Sequence, residues 1–65
     1  MNTIIQIEVA LNFLNTLFGK AIYFNDNKII DELVVLRHNI YYGDFNYDLF
    51  LKNLQDIEIK LKKYD

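Results

Sequence analysis

Apolar residues recur at helical spacing along the whole chain. Ile4, Ile7, Leu11, Leu14, Leu17 and Phe18 fall on one face of a helix starting near Thr3. That helix either ends at Gly19, giving a span from Thr3 to about Phe18, or continues to Phe24. A second apolar group, Ile5, Val9 and Phe13, shares its side with Glu8, Asn12 and Thr16. One small bundle rarely buries both groups, so this stripe reads either as incidental exposure or as a self-association surface. Asn25-Asp26-Asn27 then breaks the periodicity, and each of the three side chains can cap a following helix. The second helix is predicted over Lys28 to Tyr42, with Gly43 at the left-handed residue beyond its end. Asn46 is the predicted cap of a third helix. Phe45 before it and Phe50 after it form a hydrophobic staple, and Asp48 falls in the first turn. Tyr47, Phe50, Leu51, Leu54, Ile57, Leu61 and Tyr64 make its core stripe, and Asp48–Lys52, Asp56–Lys60 and Glu58–Lys62 are spaced as i,i+4 ion pairs. With no proline, repeat or linker, the pattern predicts an all-α chain. It is a single helical domain over residues 1–65, a three-helix bundle or a helical hairpin plus an N-terminal helix.

Size changes that picture by weakening it. A 65-residue domain buries only about 60% of the surface of its unfolded chain, so its core is marginal. The chain has no cysteine and hence no disulfide to support it. Self-association or a protein partner is the remaining stabiliser, and the chain is expected to be dimeric or partner-bound.

Seven Lys and Arg stand against nine Asp and Glu, a formal charge of −2. That balance makes RNA a weak partner at best, because non-specific affinity comes from neutralising phosphates. Lys60, Lys62 and Lys63 read as a solvated helix end that suits the helix dipole. No apolar run reaches the length of a membrane span, and no basic segment precedes an apolar one at the start, so the expected place is the cytoplasm, away from membranes. The chain has no serine and one histidine, which removes a Ser or Cys hydrolase triad. His38 lacks neighbouring ligands at metal spacing, since Asp31 and Glu32 lie seven and six residues upstream; neither a metal nor a cofactor is expected. The two glycines make no phosphate-binding loop.

The stretch from Leu33 to Asp44 departs from the apolar pattern. Leu33, Ile30, Ile40, Tyr41 and Val34 project on the arc around Arg37, at about 100° per residue. A guanidinium cannot shed its proton and is almost never buried unpaired, so Arg37 must snorkel, meet a carboxylate such as Asp44, Asp48 or Glu8, or reach a ligand. His38, Tyr41, Tyr42, Asp44 and Tyr47 lie within about ten residues of it.

The run Arg37-His38-Asn39-Ile40-Tyr41-Tyr42-Gly43 resembles the motif of the HEPN superfamily of RNA-cleaving and nucleotide-binding helical domains. Arg37 matches the family arginine, Gly43 matches the glycine after the catalytic histidine, and Ile29 to Leu36 is similar to the run into the motif. The resemblance spans residues 24–64 at most, about the C-terminal half of such a bundle. Tyr42 stands where the family has its catalytic histidine. The resemblance therefore implies a cut-down core without the proton-transfer group, because a phenol with a pKa near 10 is a poor base at neutral pH.

Binding rather than catalysis is the expected function. The chain reads as a small helical protein-binding module with Arg37, His38, Tyr41, Tyr42, Asp44 and Tyr47 at its binding surface, Tyr and Arg being enriched at interaction hot spots. By resemblance its target is a HEPN-like ribonuclease of a toxin or antiviral defence system, inhibited as an antitoxin or phage-type inhibitor would do. Two alternatives stand beside this: a homodimeric endoribonuclease using Arg37 and His38, and a structural oligomerisation module.

Overall fold

The computed structural model describes residues 3–43 and 45–65, and these form three α-helices and a terminal 3-10 turn. Helix α1 runs over Ile4–Tyr23. Thr3 caps it by a reciprocal box: its hydroxyl accepts from the Gln6 N–H at 3.1 Å, and Gln6 Oε1 accepts from the Thr3 N–H at 3.0 Å. Gly19 does not end the helix. It lies inside it and exposed, with open space where a Cβ would stand. One glycine costs only about 1 kcal/mol in a helix, and the apolar pattern continuing through Ala21 outweighs that.

The chain reverses at Asn25, which adopts the left-handed conformation at φ 57° that asparagine tolerates. Of the three predicted caps, Asp26 does the work. Its Oδ1 accepts from the Ile29 N–H at 3.1 Å and starts helix α2, Asn27–Tyr42, one residue earlier than expected. Gly43 follows that helix with extended backbone, φ −116° and ψ −173°, not in the left-handed conformation its sequence position suggests. Its Cα sits against Asn39, where a Cβ would come within 3.2 Å of the Asn39 carboxamide oxygen. Helix α3, Tyr47–Leu61, begins as predicted. Asn46 Oδ1 accepts from the Leu49 N–H at 3.0 Å, and the Phe45 and Phe50 rings meet edge to face at 5.1 Å. Lys62–Tyr64 then tighten into a 3-10 turn.

Helix α1 is the central element and packs against both α2 and α3. The core lies on these two seams: Leu14, Leu33, Leu54 and Leu61 are essentially sealed, and Ala10 and Ala21 let the helices approach α1 closely. Burying each leucine contributes roughly 1.5–3 kcal/mol. Ile4, expected in this core, is instead largely exposed at the start of α1, beyond the reach of the α2 and α3 packing. Phe13, expected on the outer stripe, is half-buried against the core, while Ile5 and Val9 remain exposed.

Among the described residues the ion pairs join separate elements rather than run along one helix. Lys60 reaches Glu32 on α2 at 3.0 Å in place of Asp56, and Lys20 pairs with Asp65. These pairs place α3 antiparallel to α2, its end beside the end of α1 and the start of α2.

Candidate functional site

At the far end of α2, Arg37, His38, Tyr41 and Tyr42 occupy its last two turns and all four are exposed. Their directions differ. Arg37 turns toward α1 and rests its guanidinium over the Phe18 ring, 5.1 Å from the centroid. A charge placed over an aromatic face, its stem along apolar surface and its donors open to water, satisfies the apolar arc without a buried carboxylate. Among the described residues Arg37 forms no ion pair with Glu8 or Asp48. Asp44, the third expected partner and a candidate binding residue, lies outside the described residues.

His38 points elsewhere, its ring 4.8 Å from that of Tyr42, and Tyr41 lies 6.3 Å from Tyr42 on the other side. Within one chain the guanidinium and the imidazole thus belong to different faces of α2. Tyr41 and Tyr42 are 61% and 79% exposed, a large aromatic area without intramolecular cover. Tyr47, in the first turn of α3, is half-buried. The sequence-predicted residues therefore make an exposed Arg/His/Tyr cap at one end of the bundle, with Tyr47 at its margin.

At the opposite end lies an arrangement that sequence reasoning missed. Tyr64 donates its hydroxyl to Asp26 Oδ2 at 2.5 Å and stacks on Phe24 at 4.4 Å with rings 7° apart, while Lys63 pairs with the same carboxylate at 3.1 Å. The Tyr64 hydroxyl, the Ile29 N–H and the Lys63 ammonium together hold the Asp26 carboxyl at about 2, below its usual 3.8. Tyr64 is pushed up in turn, chiefly because its proton is held by Asp26. Asp26 thus caps α2 with one oxygen and fastens the terminal turn with the other. The fused lysine cluster of the sequence is in fact divided, with Lys60 and Lys63 engaged in separate ion pairs.

A second missed feature is a groove between α2 and α3, which do not close on each other. Its central part, about 340 Å³, is floored by Leu36 and Ile57 and walled by Val35, Asn53 and Asp56. Toward the α2–α3 turn it continues past Leu36 and Asn53 to Asn39, Leu49 and Phe50. Toward the other end it passes the Glu32–Lys60 pair and reaches Lys28. The i, i+3, i+4 pattern could not reveal it, because Val35 and Leu49 sit on the polar side of their own helices and become a shared surface only once α2 and α3 are placed.

Among the described residues no group of three His, Asp or Glu side chains could hold a metal ion, and no helix is long and apolar enough to cross a membrane. No protein-family model matches this sequence, and no curated protein and no solved structure matches it either.

Proposed function

We propose that this chain is a non-catalytic protein-binding module that engages its partner with the Arg37, His38, Tyr41 and Tyr42 end of α2. The observation that carries this reading is the exposure of two adjacent tyrosines beside an arginine that, among the described residues, rests on an aromatic face and forms no ion pair. Tyr and Arg supply large contact area and planar donors at small entropic cost, the composition of interface hot spots. The Arg37-to-Gly43 resemblance supports a finer proposal, that the partner is a HEPN-like ribonuclease whose own motif helix this surface imitates. An antitoxin or phage-type inhibitor would act in this way.

Capture of bound proteins with wild type and with Tyr41→Ala/Tyr42→Ala tests the reading. A protein retained by wild type and lost with the double variant supports it, and the identity of that protein tests the finer proposal. The purified chain is expected not to cleave single-stranded RNA above background. Cleavage abolished by both Arg37→Ala and His38→Ala would replace this reading with a homodimeric nuclease, because within one chain these two groups diverge.

A further inference from the structure

Helices α1 and α2 pack as a pair with two sides, and α3 covers only one of them. At about 100° per residue Leu11, Phe18 and Ile22 lie along one flank of α1, while Ile30, Val34, Arg37 and Tyr41 lie along one flank of α2. The Arg37–Phe18 contact shows that the two flanks share the same side of the pair. Helix α3 lies on the other side of α1, the side from which Lys20 reaches Asp65. The uncovered side is an apolar seam about three turns long, since Leu11 to Ile22 rises roughly 16 Å. Leu11, Phe18 and Ile30 are half-buried on the core and form its floor, while Ile22 and Val34, 58% and 40% exposed, form its rims.

Arg37 lies within this seam and is the one charge on the two flanks among the described residues. Glu8, the acid of α1, stands ten residues and roughly 15 Å along the helix from Phe18. Asp31 faces about 120° around α2 from Arg37. An unmatched cation on an apolar seam, in a chain of net charge −2, selects its occupant by complementarity. From this geometry we infer that the seam docks an amphipathic helix of a partner protein, one whose apolar face carries a carboxylate opposite Arg37. The inference rests on the protein-binding reading above and specifies the partner. A helix laid along two others anchors apolar residues between them every three or four positions, which suits the rims and floor of this seam. The guanidinium keeps its donors open while its face rests on Phe18, and its fork matches a carboxylate through two parallel hydrogen bonds. Rims of Ile22 and Val34 would shield that pair from water and strengthen it. A second copy is a poor occupant, because a two-fold contact through this seam brings another guanidinium and no acid. A lipid surface is no better matched, since charge-driven docking on anionic lipid takes a cluster of basic residues.

Charge reversal tests the pairing. Helical peptides on a fixed scaffold, randomised along one face, are selected on the wild-type chain and on Arg37→Glu. Wild type is expected to enrich peptides with one Asp or Glu among apolar residues, and Arg37→Glu to enrich Lys or Arg at that position instead. An acidic peptide selected on wild type should lose at least about tenfold in affinity for Arg37→Glu and recover when its acid is replaced by Lys. Arg37→Gln, nearer the native shape, should select neither sign. Ile22→Lys and Val34→Lys should abolish binding while keeping wild-type helicity by circular dichroism, both positions being exposed. A wild type that enriches no acid-bearing peptide, or whose peptides bind Arg37→Glu equally well, overturns the inference. Binders that survive Ile22→Lys and Val34→Lys but are lost with Tyr42→Ala also overturn it, and leave the protein-binding reading standing at the helix end. Binding to phosphatidylglycerol vesicles, or a dimer in sedimentation, that the same two rim substitutions abolish would give the seam to lipid or to a second copy instead.

Discussion

Arg37 illustrates how a single residue can look anomalous in sequence and ordinary in space. Its apolar arc demanded either a buried carboxylate or a route to water, and the Phe18 ring provides the second. Arg37→Ala therefore removes an exposed cation–π contact, worth roughly 0.5–1 kcal/mol, and leaves no acid stranded among the described residues. Thermal melting is expected to shift little, while partner affinity falls by about 2 kcal/mol or more if the residue is a hot spot. A variant that melts outright would return Arg37 to a structural role.

Asp26 is the opposite case, a residue expected to cap a helix that turns out to hold two elements. The folded chain keeps its carboxyl ionised down to about 2, whereas the unfolded chain protonates it near 3.8. In that window the unfolded state binds more protons, so this residue's contribution is fully present above about pH 4 and is lost as pH falls toward about 2. Tyr64→Phe keeps the ring on Phe24 but removes the largest cause of the shift. It is expected to lower Tm at neutral pH and to reduce the further loss between about pH 4 and pH 2 relative to wild type, as read by thermal melts across that range.

At the scale of elements, local chemistry was legible where side chain and backbone belong to the same few residues. The Asn46 cap and the Phe45–Phe50 staple are of this kind, and Asn46→Ala should destabilise by about 1 kcal/mol in denaturant titration. Gly19 was not legible, because a glycine late in an amphipathic run reads equally as an end and as an interruption. The answer depended on whether α1 had something to pack against beyond it, and Ala21 does. Gly19→Ala meets nothing within 4 Å and keeps helical backbone, so it should stabilise by about 0.5–1 kcal/mol. For a domain of this size that is a rise in Tm of a few degrees, on the order of 4–8 °C per kcal/mol. The intrahelical ion pairs were misread for a related reason. Sequence spacing shows Asp56 within reach of Lys60 but cannot show that Glu32 of another helix is as close.

For the whole molecule, three helices with one central member give a core that is sealed on two seams and open on the third. Leu54→Ala, in the sealed part, should cost about 2–5 kcal/mol and leave so small a domain largely unfolded by circular dichroism. If the chain self-associates, Tm should also rise with protein concentration, since association stabilises only the folded chain. The sequence by itself determined the helical class, the three segments, the Asn46 cap of the third and most of the residues that line the core. These follow from periodicity and from hydrogen bonds between near neighbours, both of which are written along the chain. Only the tertiary structure decided where Arg37 rests, that Tyr64 closes on Asp26, and that Val35 and Leu49 share one groove. Each of those joins residues more than a dozen positions apart, whose distance depends on how helices pack rather than on how any one of them forms.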